Sequence, residues 1–366
     1  MTVQKLTEKL ISIPSYVDGD VDEVQVAEFL YEYLQKNLPW LKVVKQYVKG
    51  NRYNIVALPE KELSILFVSH MDTVRPIGDP VKRTKPKVKD NKLYGLGSAD
   101  MKGGLAASLL AAQAAGSESG VGLIYDIDEE YGFLGAKALI EKYLLKPQLL
   151  VCPEPTNLQV VNGCRGVIEV EIEIRGRGGH AARPEDGLNA LLLSVEILQE
   201  VEQRLRLLDD ENIGVTSVNL ASLQGGVYRE DQYVIQANAI PDYAKMLVDI
   251  RPASDVTASD IVEMFKSTTI KLGGEMIASK VNLDYAGYAI PTRKLEALLP
   301  KQMRFRGELD KSGFYESAIF SKAWGVPSIN FGPSGIGHIE DESVDLRSLQ
   351  TAYDVYVKMI ELVKVN

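Results

Sequence analysis

The 366-residue sequence predicts an α/β fold with a mostly parallel central sheet, interrupted by an inserted α+β domain. Three observations carry that expectation. Apolar strand-like runs alternate with helical stretches through the first part of the chain, the pattern of a layered α/β unit. Near residue 166 the pattern changes: Ile168, Val170, Ile172 and Ile174 alternate with Glu169, Glu171, Glu173 and Arg175, giving a strand with one wet face, the habit of antiparallel sheets. From about Ala289 the α/β style returns. The length also favours two domains. Residues 1–165 and 287–366 are assigned to a discontinuous first domain, and 166–286 to the insertion.

In chain order, 3–13 and 21–37 read as amphipathic helices, the second carrying Val24, Val26, Ala27, Leu30, Tyr31 and Leu34 at helical spacing. Strands are expected over 41–48, 53–58 and 63–68. The last contains the apolar run Ile65-Leu66-Phe67-Val68, which reads as buried. Residues 75–94 are basic, Pro-containing and poorly periodic, hence a surface loop or hairpin. A helix over 101–115, a strand over 121–127, a helix over 132–143 and a strand over 148–152 follow. Inside the insertion the spacing predicts a helix over 188–208, strands near 215–223, 234–238 and 245–250, a helix near 261–272 and a strand near 279–285. That order approximates a β-α-β-β-α-β split unit, ferredoxin-like, whose open edges favour a homodimer. A strand over 326–331 and a helix over 348–363 close the chain.

Composition narrows the function classes. Apolar residues make up 45% and charged residues 25%, as in ordinary folded proteins. The 50 acidic residues outnumber 41 basic ones, and a formal charge of -9 argues against nucleic acid or an anionic membrane as partner. No apolar run approaches a membrane span, and the N-terminus lacks a secretory pattern. Cys152 and Cys164 are too few for a disulfide framework and suit a reducing compartment, so the expected location is cytoplasmic. Histidine is scarce, with only His70, His180 and His338, so each is tested for a role.

In open parallel sheets, sites form at the carboxyl ends of strands. His70 follows the strand ending at Val68, Glu129 and Glu130 follow 121–127, and Glu154 follows 149–152. His338 follows 328–331 through a Gly-rich loop, and Asp100 precedes the helix from Met101. Each has a plainer job available. Asp100 could be an N-cap, Glu129 and Glu130 could sit in the first turn of a helix, and Glu154 or His70 could be a solvated turn residue. Together, though, two histidines and several carboxylates form a workable ligand set for two divalent metals. A carboxylate shared between ions about 3.5–4 Å apart suits hydrolysis, with one further carboxylate as general base. If the extended conformation runs past His70, Asp72 shares its face and can hold the imidazole. Rival motifs fail: Gly95-Leu96-Gly97 lacks a third glycine, Lys102-Gly103 lacks the Walker spacing, and no Gly-x-Ser-x-Gly occurs.

Several segments carry a resemblance. They are His70-Met71-Asp72-Thr73-Val74, the stretch from Gly95 to Gly104, Asp128-Glu129-Glu130-Tyr131-Gly132, Cys152-Pro153-Glu154-Pro155, Gly179-His180 with Pro184 and Gly187-Leu188-Asn189-Ala190, and Asp249-Ile250-Arg251-Pro252. In this order, across nearly the whole chain, they resemble the metallopeptidase family of acetylornithine deacetylase, succinyl-diaminopimelate desuccinylase and carboxypeptidase G. The resemblance implies a zinc-peptidase-like catalytic metal-binding domain and an inserted lid/dimerisation domain. It implies two divalent metal ions, usually zinc with cobalt or manganese as alternatives: one held by His70, Asp100 and Glu154, the other by Asp100, Glu130 and His338. Asp72 would orient His70, and Glu129 would be the general base. His180 would donate a hydrogen bond to the oxyanion, often in the active site of the partner subunit. Asn238 and Arg251 would hold the substrate carboxylate, Arg through its bidentate fork. Arg165 would help, or else form an interdomain ion pair.

The sequence departs from the family in places. Gly337 stands before His338 where many relatives have Ala, and Arg75 replaces a common Pro. A run from Leu309 to Tyr315, with Lys311, Ser312 and Tyr315, stands in place of a Ser/Thr-Asp-Ala/Gly-like pocket motif. The implied activity is hydrolysis of the amide of a small N-acyl amino acid, with a dipeptidase or carboxypeptidase acting on a short peptide as the alternative. A catalytically silent binding relative would require a broken ligand set or a missing base, and the sequence shows neither.

Overall fold

The computed structural model describes residues 1–210, 213–306 and 313–363. Two compact units divide the chain. One holds Met1–Asn162 together with the chain from Ile290 and again from Tyr315, and the other is built on Gly163–Ala289.

The first unit begins with helices α1 (Val3–Ile11) and α2 (Val24–Asn37). A hairpin of β1 (Leu41–Lys49) and β2 (Arg52–Pro59) leads to β3 (Ile65–His70). Then come α3 (Lys102–Ala115), β4 (Val121–Asp126), α4 (Leu134–Lys142) and β5 (Leu149–Cys152). The six-stranded sheet is completed late in the chain by Ser328–Asn330. Its spatial order is β1, β2, β4, β3, β5 and the Ser328–Asn330 strand, with the last four mutually parallel. β3, β4 and β5 are buried along their whole lengths, which is why they read as unbroken apolar runs in the sequence. The core between the sheet and α3 and the C-terminal helix Leu346–Leu362 is closed by Phe67, Tyr356 and Phe331.

The basic stretch 75–94 contains the short helix Pro80–Arg83, capped by Asp79, and a hairpin of Lys87–Lys89 with Lys92–Tyr94. Asp90 and Asn91 turn that hairpin with positive φ angles of 49° and 60°.

In the second unit, β6 (Val167–Arg175) is followed by α5 (Ala190–Arg206), β7 (Ser217–Arg229), β8 (Gln232–Val234), β9 (Tyr243–Arg251), α6 (Ala258–Lys271) and β10 (Glu275–Tyr285). The antiparallel sheet runs β8, β7, β9, β6, β10. Ile168, Val170, Ile172 and Ile174 point into its core with Phe265, Ile261 and Ile197 from the two helices. Two details differ from the sequence expectation. β7 continues through Gly225-Gly226, which pair with Ala244 and Tyr243, and the strand expected over 234–238 ends at Val234, leaving Asn238 in a turn. Glycines read as breaks in a sequence, yet a strand flanked by a partner on each side can carry them.

Among the described residues no helix is long and apolar enough to cross a membrane. α7 (Ser317–Trp324) precedes β11 (Ser328–Asn330), and α8 (Leu346–Leu362) packs on α3.

Candidate metal centre

β3 lies between β4 and β5 in the middle of the parallel array, so its carboxyl end opens where neighbouring strand ends meet. The strand stops at His70, which is 1% exposed. His70 Nδ1 faces the Asp72 backbone oxygen at 3.0 Å and its carboxylate at 3.5 Å. The other ring nitrogen, Nε2, lies 3.1 Å from Asp100 Oδ1 and 4.0 Å from Glu154 Oε1. On the far side of Asp100, Oδ2 is 3.3 Å from His338 Nε2, which is also 3.0 Å from Glu130 Oε1. Two three-donor sets therefore share Asp100: His70, Asp100, Glu154 and Asp100, Glu130, His338.

Local sequence explains how these groups meet. Asp100 does not cap α3; the capping position falls on Met101, which provides no side-chain hydrogen bond. Its backbone N–H, with that of Ala99, instead donates to Glu342 Oε1 at 3.1 and 3.0 Å. A Cβ at Gly104 would collide with the Pro153 carbonyl, so only glycine lets the first turn of α3 seat beside the loop that carries Glu154. Gly337 answers the same need: a Cβ there would fall 2.9 Å from Asp100 Cβ. His338 follows it at φ 59°. Glu129 and Glu130 also escape the plainer reading, since α4 begins only at Leu134. Their backbone N–H groups donate to Asp72 Oδ1 and Oδ2 at 3.2 and 3.0 Å, a second task for Asp72 that side-chain spacing could not reveal.

Electrostatically the cluster holds more carboxylates than imidazoles. Burial alone would lower the His70 pKa, but the Asp100 and Asp72 carboxylates hold it well above the ordinary imidazole value. His338 is raised to about 11 by its hydrogen bonds to Asp100 and Glu130. Burial pushes Glu154 up to about 8 and Glu129 well above the carboxylate range, with neighbouring carboxylates adding to both. Burial works the same way on Asp100, yet His338 and His70 outweigh it and keep that group ionised. A nest of five carboxylates is the environment that cations relieve. The spacing fits as well, because tetrahedral donors about 2.0–2.2 Å from one ion lie about 3.4 Å from one another. The His70 side is buried while the His338 side chain is 52% exposed, so one side of the centre stays open.

In the second unit, Gly179 and His180 pair with Ile240 and Ala239, which sets His180 beside Asn238. The Ala182 N–H donates to His180 Nδ1 at 3.1 Å, so the neutral ring carries its proton on Nε2. Arg251 is held bidentately by Asp249 at 2.9 and 3.0 Å. Arg165 donates to the Val215 carbonyl and Ser217 hydroxyl within the same unit. Lys311 and Ser312 lie outside the described residues. Sequence reasoning missed Glu342, although it stands in the acidic run after His338. It also missed Glu316, fully buried at the start of α7, whose carboxyl is kept well above the ordinary range by burial and by Asp126.

Carboxylates and imidazoles gathered at the strand ends of a parallel array are the donor chemistry of a divalent-metal centre. The model for peptidase family M20/M25/M40 matches residues 66–362, and the chain belongs to that family. It is accordingly a hydrolase of amide or peptide bonds. An acetylornithine deacetylase of Buchnera aphidicola is 27% identical over 390 residues, covering 98% of this chain and 97% of that protein. An aminopeptidase of Bacillus cereus superposes with a TM-score of 0.76 at 21% identity, over 99% of this chain and 98% of the other. An M20 family metallo-carboxypeptidase of Sulfolobus solfataricus gives 0.76 at 15% identity, over 100% of both chains. At these identities the two structures speak for the fold.

Proposed function

We propose that this chain is a metal-dependent amidohydrolase that cleaves the amide of a small N-acyl amino acid, in the manner of acetylornithine deacetylase or succinyl-diaminopimelate desuccinylase. The observation that carries the reading is the shared Asp100 between two donor sets, with Glu129, outside both, close enough to feel the charge of His70, Glu154, Glu130 and Asp100. His70, Asp100 and Glu154 would hold one divalent cation and Asp100, Glu130 and His338 the other, zinc first, with cobalt or manganese as alternatives. Such a pair, when bound, polarises a carbonyl and acidifies water.

The chain's own residues do the rest. Glu129, with its proton affinity raised by burial, takes a proton from the attacking water and returns it to the leaving amine. Asp72 fixes His70 from behind and anchors the Glu129-Glu130 turn. His180, protonated on Nε2, donates to the oxyanion, and Arg251 and Asn238 bind the substrate carboxylate. The reading includes a cytoplasmic homodimer built on the second unit as a lid, whose sheet ends in the edge strands β8 and β10.

A second reading, a dipeptidase or carboxypeptidase, is favoured by the peptidase neighbours of the fold. Steady-state rates on N-acetylornithine, N-succinyl-diaminopimelate and short peptides, each with zinc, cobalt and manganese, separate the two. The higher kcat/KM is expected on an N-acyl amino acid. If peptides are preferred under every metal, the second reading replaces the first.

A further inference from the structure

The Glu129-Glu130 turn is gripped from behind by three charged side chains that the proposed chemistry does not use. Asp128 adopts φ 68°, a left-handed conformation uncommon for residues with a side chain though more accessible to Asp than to most. Its Oδ1 accepts from Arg52 Nη2 at 2.9 Å, and its backbone N–H donates to Glu23 Oε1 at 3.1 Å. Arg52, at the first position of β2, completes the loop of contacts with a two-pronged hydrogen bond to Glu23: Nε to Oε2 at 2.7 Å and Nη2 to Oε1 at 2.6 Å. All three residues are buried, Glu23 at 0%, Asp128 at 6% and Arg52 at 7% exposure. The Asp128 carbonyl then accepts from Gly132 and Phe133, so the same residue sets the chain's exit from the turn.

Buried ion pairs are poor stabilisers, because desolvation offsets most of their attraction. What this one fixes is direction. Asp128 is anchored by side chain and backbone at once, and the next residue is Glu129. Asp72 grips the other edge of the turn, so Glu129 hangs between two clamps. We propose that Arg52, acting with Glu23, is a positioning residue that holds the left-handed turn at Asp128 and so aims the Glu129 carboxylate. The inference rests on the proposed function, since Arg52 acts only through the base.

The test is a set of variants measured on whichever panel substrate the wild-type enzyme hydrolyses. Arg52→Gln removes the charge and the fork. It is expected to lower kcat about 10- to 100-fold, as loss of a supporting partner does in metal sites, with KM and bound metal unchanged. Arg52→Lys keeps the charge without the planar fork and should recover part of the loss. Glu23→Gln leaves the Arg52–Asp128 contact in place and should show the same split with a smaller effect; it decides the matter if Arg52→Gln does not fold. Wild-type kcat in the folded, metal-loaded variants overturns the proposal. So does a loss that appears only as a raised KM or as missing metal. Failure of the wild-type protein on every panel substrate overturns the proposed function, and this inference with it, before any variant is made.

Discussion

One side chain just past β3 serves three neighbours. Asp72 lies 3.5 Å from the His70 ring through its carboxylate and receives the backbone N–H groups of Glu129 and Glu130. Base and ligand are therefore fixed through their backbones, and a change confined to one carboxylate should leave the frame standing. Glu129→Gln is expected to retain both metals while kcat falls about 10²- to 10⁴-fold, the range for a lost general acid–base. His180→Ala should keep the metals too and lower kcat about 10²- to 10³-fold, as removal of an oxyanion donor does. Metal analysis alongside steady-state kinetics checks both: near-normal turnover removes Glu129 as base, and metal loss on substitution of His180 makes that residue a ligand. At this scale His70, Glu130, Glu154 and His338 were legible as candidates because each follows an apolar run, and Asp100 because it stands before a helix. Glu23, Arg52 and Asp128 were not. They lie 29 and 76 residues apart and meet only when α2, β2 and the end of β4 are already packed. Glu342 meets Asp100 across 242 residues for the same reason.

Among the elements, the buried strands were the most readable and the second unit's hairpins the least. β3, β4 and β5 bury both faces and leave little choice of residue, whereas β7 and β8 keep exposed positions, and Gly225-Gly226 inside β7 blur its extent. The wet face of β6 was legible through its glutamates, and the structure shows what they do. Glu171 is met by Lys245 Nζ from β9 at 2.6 Å and Lys280 Nζ from β10 at 3.3 Å, with Asn282 Nδ2 at 3.4 Å. Those hydrogen bonds hold its pKa at about 2, against 4.5 unperturbed. A depressed carboxylate stabilises the fold above its unfolded pKa, and the contribution disappears as pH falls through the folded value. The Tm of wild type should therefore exceed that of Glu171→Gln at neutral pH. The gap should close between about pH 4.5 and pH 2. Calorimetry across that range is the check, and a gap that persists at pH 2 would assign the difference to packing instead.

For the whole molecule, the separation of charge and core between two units makes a metal-dependent prediction. Every residue of the candidate metal centre belongs to the first unit, and each unit has its own apolar cluster. Without cations, the centre keeps several carboxylates in a buried space where three of them, Glu129, Glu130 and Glu154, are already driven toward their protonated forms. Ions that bind this folded arrangement and not the unfolded chain add stability by mass action, about 2.7 kcal/mol at 100 times Kd. That gain can reach only the unit whose folding creates the donor sets. Chelation should therefore lower the melting transition of the first unit and abolish hydrolysis, while the transition of the second unit stays in place. Added zinc should restore both the transition and the activity, and cobalt or manganese should do so to the extent that each fits the mixed imidazole and carboxylate donors. Differential scanning calorimetry with and without chelator reads the result directly. If the second unit's transition moves with the first, the two units fold as one cooperative body; if neither moves, the donor sets bind no ion and the hydrolytic reading loses its foundation.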